Sequence, residues 1–283
     1  MSVDRAWINP IGGLGDTLML SGVLKLAHER DPSVGYHLVR RTRYQSILTG
    51  HPAVGTIGSP PPDARIVTTD YWTHEPLGEG RQRAYQVLAR MFGLPTPVEE
   101  RLYLPGKLPD DDPLLAMIPF GTRPVVVLAP TSESPRKMCP FPFWERLAGL
   151  VAERGAFAVQ VGAEHDPRIP GTYRLLGLTT PHQLVAIVRH SALVVTLDSF
   201  IMHAAHLAGT PAIVLWGPTD PATYGYAEQV HLGDGAARCP QRADCLGARH
   251  PDHYGVPCPL GAEHCMATID FAVVQDAVAS RIC

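Results

Sequence analysis

Lysine is scarce in this chain: Lys25, Lys107 and Lys137 are the only ones among 24 basic residues. A lysine at a motif position therefore says more here than in a lysine-rich protein. No basic block stands out and the formal net charge is −3, which argues against a nucleic-acid binder, since those present a clustered positive face. No apolar run approaches the roughly 20 residues of a membrane-spanning helix. The opening Met1-Ser-Val-Asp-Arg5 leads straight into a strand pattern without the apolar region of a secretory leader, so a cytoplasmic location is expected. What is present is ample: 45% hydrophobic residues over 283 positions, enough for one large core or two smaller ones.

The most informative stretch is 192–221. Residues 192–197 and 212–216 are continuous apolar runs, the pattern of parallel strands covered on both faces. Between them Asp198 and Ser199 are cap-type residues opening a helix over 200–208, which Gly209 closes. This is one β-α-β unit, and a parallel α/β sheet follows from it. Ligands of such sheets bind beyond the carboxyl ends of the strands. Here those ends carry Asp198-Ser199 and Gly217-Pro-Thr-Asp-Pro221, and the N–H groups of a helix start suit a phosphate.

Asp198, Ser199, His203, Ala204 and Gly217 to Pro221 resemble the nucleotide-diphosphate-sugar loop of the bacterial heptosyltransferases, glycosyltransferase family 9. Phe200 stands where that family usually has Gly. The resemblance implies a GT-B fold, two Rossmann-like parallel-sheet domains facing across a cleft, with an ADP-sugar as donor substrate and no catalytic cofactor. It divides the chain into an acceptor-side domain over 1–104, a linker over 105–124 and a nucleotide-sugar domain over 125–283.

At the start, residues 6–10 read as a strand, followed by Ile11-Gly-Gly-Leu-Gly-Asp16 and a helical pattern over 17–30. The turn lacks the Lys-Ser/Thr of a P-loop, and its glycine spacing is not the dinucleotide fingerprint. From the residues alone, Asp16 either caps the helix or serves chemistry. The resemblance implies that Asp16 is the catalytic base, with Gly15 beside it at the donor; the family's Pro a turn later is replaced by Gly22. A second strand is expected over 34–39, followed by Arg40, Arg41 and Arg43, which suit an acidic acceptor or simply a solvated loop. One further strand is expected over 64–68 and an amphipathic helix over 80–92. The proline-rich stretch 104–124 reads as linker with a short helix at 114–118.

The second half opens with a strand over 125–129 and the loop Pro130-Thr-Ser-Glu-Ser-Pro-Arg-Lys-Met-Cys-Pro140. By resemblance Lys137 meets the donor diphosphate, Thr131 and Ser132 give hydroxyls to the same oxygens, Arg136 is a possible substitute, and Cys139 replaces a Trp. A helix over 143–154 and a strand over 156–161 lead to Glu164 and Asp166, of which Glu164 is the first choice for ribose hydroxyls. Thr180 is expected to cap a helix over 182–189, and by resemblance Leu178 and Thr179 border the base. His203 and His206 sit at i and i+3, but no third ligand shares the pattern. A metal is therefore not expected there; the resemblance implies that His203 lies near the diphosphate, and His206 reads as a core histidine.

Four of the six cysteines cluster as Cys239-x5-Cys245-x12-Cys258-x6-Cys265. In a cytoplasmic chain such thiols read first as a metal knuckle, with free thiols or a disulfide as the alternatives. By resemblance some protein-modifying heptosyltransferases hold iron in a comparable knuckle, so a structural Fe or Zn is expected. A closing helix over 271–282 follows, which in GT-B enzymes packs back towards the first domain. Together these readings imply an inverting glycosyl transfer, most simply of heptose from ADP-heptose, to a lipopolysaccharide core, a protein side chain or a small metabolite. Two rivals stay open: a nucleotide-sugar 2-epimerase-like isomerase on the same fold, and a nucleotide-sugar binding protein that has lost catalysis.

Overall fold

Two parallel sheets carry the chain, and a computed structural model describes residues 5–74, 83–233, 239, 245, 255–261 and 264–282. The chain divides into two compact units, Met1–Lys107 and Leu108–Cys283. Among the described residues no helix is long and apolar enough to cross a membrane.

The first unit contains β1 (Arg5–Asn9), α1 (Leu14–Arg30), β2 (Gly35–Leu38), β3 (Val54–Ile57), β4 (Ile66–Thr68), α2 (Tyr71–His74) and α3 (Ala84–Met91). Its sheet runs β3-β2-β1-β4, all pairs parallel. Strand order thus reverses at the β1–β4 pair, where Asn9 lies opposite Thr68. Helix α1 buries Leu18, Leu20, Val23 and Leu24, and begins three residues before the expected Thr17. Asp16 is therefore inside its first turn rather than ahead of it. β3 was not expected from the sequence.

The second unit contains α4 (Pro113–Ala116), β5 (Val125–Ala129), α5 (Phe141–Glu153), β6 (Phe157–Gly162), β7 (Tyr173–Leu176), α6 (Pro181–His190), β8 (Leu193–Leu197), α7 (Phe200–Ala208), β9 (Ala212–Leu215), α8 (Pro221–Tyr224), β10 (Val230–Leu232) and α9 (Phe271–Ala279). The sheet order is β10-β9-β8-β5-β6-β7, again all parallel. Val126, Leu128, Leu193, Val195, Ile213 and Leu215 pack with Trp144, Leu147 and Val151 of α5 and with Val274 and Val278 of α9. The alternate strand residues Val125, Val127, Val194 and Val214 are buried as well, which is why β5, β8 and β9 read as unbroken apolar runs. Thr180 caps α6 by accepting from the Gln183 N–H, and Gln183 reciprocates. Within this unit the acidic stretch before β5 is anchored on α6, where Asp112 accepts from Gln183 and Asp110 pairs with Arg189.

Candidate functional site

In the second sheet the strand order turns between β5 and β8, the place where open α/β sheets take ligands. The loop after β5 and the loop after β8 each send one charged group to that point. Lys137 lies in the short turn Pro135–Lys137 and its Nζ donates to Asp198 Oδ2 at 2.8 Å. Both side chains are almost wholly buried, at 11% and 9% exposure. Burial pushes the Asp198 carboxyl up, but the Lys137 charge and hydrogen bond outweigh it and hold the group below the usual carboxylate range. The Thr219 hydroxyl, buried and without full hydrogen-bond geometry to any partner, and the more distant His203 add smaller pulls in the same direction. Asp198 is thus the counter-ion of Lys137, not a cap for α7.

Four helices of this unit are closed at the start by a side chain, Asp112 for α4, Thr180 for α6, Asp220 for α8 and Asp270 for α9, whereas α5 opens on Pro140 without one. α7 also lacks one, because Ser199 is extended there and makes no side-chain cap. Its hydroxyl shares a 3.1 Å hydrogen bond with Thr196 instead. Phe200, half-buried, is the first residue of that helix.

Thr131 donates its hydroxyl proton to Asp166 Oδ2, which also accepts from the Ala163 N–H at 2.7 Å. Thr131 is therefore committed to a protein partner rather than free to donate to phosphate. Ser132 accepts from the Ser134 N–H at 3.4 Å, a long bond that uses no proton of its own. Glu164 is exposed, beyond the carboxyl end of β6. Leu178 is 64% exposed between β7 and α6, with half-buried Thr179 beside it.

His203 is buried and its Nδ1 lies 2.7 Å from the Tyr226 hydroxyl. His206 is not a core residue as expected: it is half-buried, stacks on Tyr226 with centroids 3.7 Å apart, and bonds Glu228 at 2.6 Å. Sequence reasoning missed Tyr226, which no motif marks. Gly217 is buried, and a Cβ there would sit 2.8 Å from Met266 Cγ and 2.9 Å from Cys265 Sγ. Glycine at this position admits the cysteine segment against the end of β9.

In the first unit the strand order turns between β1 and β4. The glycine loop after β1 bends Gly12 to a φ of 105°, and a Cβ on it would meet the Asp16 carboxylate at 2.7 Å. That bend lets the Gly13 N–H donate to Asp16 Oδ2 at 2.6 Å. From the other strand end, the buried Tyr71 donates its hydroxyl to Asp16 Oδ1 at 2.5 Å. Thr69 fastens the loop itself, accepting from the Ile11 N–H at 2.8 Å and donating to the Ile11 carbonyl at 3.0 Å. Gly15 is half-buried within the first turn of α1. Arg40, Arg41 and Arg43 are exposed after β2, with Arg43 over the Tyr44 ring.

Cys239, Cys245, Cys258 and Cys265 are free thiols, while much of the rest of the segment 239–265 lies outside the described residues. Burial first, and then the charges of Cys245, Cys239 and Cys258, push the Cys265 thiol up to about 11. The four therefore lie near one another, yet among the described residues no three His, Cys, Asp or Glu side chains are arranged to hold a metal ion. The expected zinc or iron does not fit the thiols as placed, and no step below passes through a metal. The segment is held to the donor-side loop by Arg136, which donates to the Val256 carbonyl at 2.9 Å and approaches Cys245 Sγ at 3.7 Å.

Comparison with known proteins agrees with this geometry. The chain is 32% identical over 117 residues to lipooligosaccharide heptosyltransferase 2 of Haemophilus influenzae, a match covering 36% of this chain and 34% of that protein. The chain thus matches about a third of the length of that relative. Among solved structures, the glycosyl transferase family 9 protein of Veillonella parvula superposes with a TM-score of 0.71 at 14% identity, covering 100% of this chain and 98% of the other. The E. coli ADP-heptose lps heptosyltransferase II gives 0.68 at 14%, covering 99% and 98%. The iron-containing dodecameric heptosyltransferase TibC of enterotoxigenic E. coli, in a complex with ADP-D-β-D-heptose, gives 0.71 at 15%, covering 98% and 76%. The model of glycosyltransferase family 9 (heptosyltransferase) matches residues 80–239, more than half of the sequence, and the chain belongs to that family.

Proposed function

We propose that this chain is an inverting heptosyltransferase that moves heptose from ADP-heptose to a hydroxyl of an acceptor such as a lipopolysaccharide core, a protein or a small metabolite. The observation that carries the reading is the buried Lys137–Asp198 pair at the strand switch, beside the helix start that no side chain caps. The Lys137 ammonium donates to Asp198, so the pair keeps the ammonium charged and held at the strand switch, where it would face a diphosphate. The N–H groups at the start of α7 and the hydroxyls of Ser132 and Ser199 add donors for the charge that develops on the leaving group. His203 belongs to the same donor set: in the tautomer that accepts from Tyr226 at Nδ1, the ring proton sits on Nε2. Glu164 suits the ribose hydroxyls, since Asp166 is taken by Thr131. Leu178 and Thr179 suit the base, with Leu178 supplying exposed apolar surface.

Asp16 then takes the acceptor proton. The acceptor O–H bond breaks, its oxygen bonds the anomeric carbon, and the carbon–oxygen bond to the diphosphate breaks on the opposite face. The electron pair leaves with ADP. General-base help of this kind is worth about 10²–10⁴-fold. We place the reaction in the cytoplasm, where free thiols such as those of this chain stay reduced.

A thermal-shift screen with ADP-heptose and with GDP-, UDP- and dTDP-sugars tests the donor. ADP-heptose at 100 times its dissociation constant should add about 2.7 kcal/mol. Asp16→Asn should keep that shift and lose about 10²–10⁴-fold in ADP release. Stabilisation by none of these sugars removes the donor-site reading, and undiminished ADP release in Asp16→Asn removes the base.

A further inference from the structure

The Asp16 carboxylate is gripped from both strand ends of its sheet's switch point. Gly13 holds Oδ2 from the loop after β1, and Tyr71 holds Oδ1 from the first residue of α2, just beyond β4. Tyr71 is 3% exposed and lies edge-on against Trp72 with centroids 5.0 Å apart. Its ring is thus seated, and its hydroxyl reaches the carboxylate through a short, partly buried hydrogen bond. The β1–β4 register places the two loops side by side, Asn9 opposite Thr68. The Thr69–Ile11 hydrogen bonds then lock the loop ends together. The contact is therefore a product of sheet topology between residues 55 positions apart.

We propose that Tyr71 is the positioning residue of Asp16: its hydroxyl fixes the rotamer of the carboxylate and stabilises its ionised form, so that the carboxylate is presented to the acceptor hydroxyl. This rests on the reading of Asp16 as the base. A carboxylate oxygen accepts more than one hydrogen bond, so the Tyr71 contact does not itself exclude the incoming proton. An O–H donor favours the charged form of a carboxylate and lowers its affinity for a proton. Tyr71 thus keeps Asp16 ionised over a wider pH range, at some cost in basicity. Other ionisable side chains of this unit have the following contacts. Arg83 pairs with Glu100, Tyr85 donates to the Arg101 carbonyl and Arg90 donates to Thr96. Asp70, immediately before Tyr71, is half-buried.

The test reads the carboxyl directly. With aspartate labelled by 13C at the carboxyl, the Asp16 resonance is the one that disappears in Asp16→Asn. Its titration midpoint should rise by about one pH unit in Tyr71→Phe, because a hydrogen bond to a charged group is lost. Replacing Tyr71 by 3-fluorotyrosine, whose more acidic hydroxyl donates more strongly at nearly the same shape, should lower the midpoint. This second variant keeps the test alive where phenylalanine fails to fold. Midpoints unmoved in a folded variant overturn the proposal.

Activity separates this from the base reading. With ADP-heptose and a heptose-deficient lipooligosaccharide core as probes, Tyr71→Phe should lose about 10–100-fold in the rate of ADP release at saturation while the donor KM stays within about twofold. A loss confined to KM counts against positioning. Full ADP release in Asp16→Asn sinks the base reading alone, since the NMR midpoints still report on Tyr71.

Discussion

Asp198 is a carboxylate with almost no access to water, and it stays ionised because one ammonium sits 2.8 Å away. Removing either partner leaves a buried charge without compensation, which typically costs about 3–5 kcal/mol. Lys137→Ala and Asp198→Asn should each lower the urea midpoint strongly, and the double variant should lose less than the sum of the two. A urea-denaturation double-mutant cycle measures that coupling; single losses below about 1 kcal/mol would place the pair at the surface. The pH sign follows from the depressed carboxyl. The pair contributes its full stability above the ordinary value of 3.8 and loses it as pH falls through the lower folded value. The motif around Asp198 and the lysine at 137 were both readable in the sequence, but their pairing was not. Lys137 lies 61 positions away, and only the β5–β8 pairing joins the two loops. Tyr71, Tyr226 and Asp166 were missed or ranked second for the same reason, since each earns its place through a contact that sequence spacing cannot express.

At the scale of elements, the longer helices and the central strands were legible, as was the edge strand β4, while the other edge strands and the one-turn helices α2 and α8 were not. β8, α7 and β9 lie where their pattern put them because every strand residue is buried and Gly209 ends the helix. The strands missed were β3, β7 and β10, and each is an edge of its sheet. An edge strand has one bonded side and a partly wet face, so the unbroken apolar run that marks a central parallel strand is absent. β3 shows this plainly, with Gly55, Thr56 and Ile57 all exposed. What holds β3 to α1 is a buried imidazole. His51 Nε2 lies 2.9 Å from the Ser21 carbonyl and Nδ1 accepts from the Ala53 N–H at 3.0 Å. The neutral ring therefore carries its proton on Nε2, and a second proton on Nδ1 would break the Ala53 bond. Burial lowers the His51 pKa, with Lys25 and His28 adding to the effect and the Ser21 bond opposing it. The unfolded chain then takes up the proton first, so stability is full above the ordinary value of 6.5 and declines as pH falls below it. Urea midpoints at pH 7.5 and 5.5 should show that decline. His51→Gln, which retains one donor and one acceptor without a titrating ring, should be less stable at pH 7.5 but show a shallower fall. An unchanged slope would assign the pH dependence to other groups.

For the whole molecule, the same topological device appears twice. Each unit has a parallel sheet whose order reverses once, and at each reversal two loops deliver a charged side chain and its hydrogen-bonding partner: Asp16 with Tyr71, and Lys137 with Asp198. The parallel ends at the chemistry, because the first reversal presents one carboxylate while the second presents an ion pair beside an open helix start. Binding free energy from an ADP-sugar should therefore be deposited in the second unit. Amide hydrogen exchange with saturating ADP-heptose should show slower exchange at 130–139, 162–166, 177–180 and 198–204, and little change at the β2–β3 edge. Asp16→Asn should leave that pattern intact, since the carboxylate acts on the acceptor, whereas Lys137→Ala should erase it at 198–204. Ligand protection concentrated in Met1–Lys107 instead would mean that the donor is held at the glycine loop of α1, and the division of labour between the two reversals would have to be exchanged.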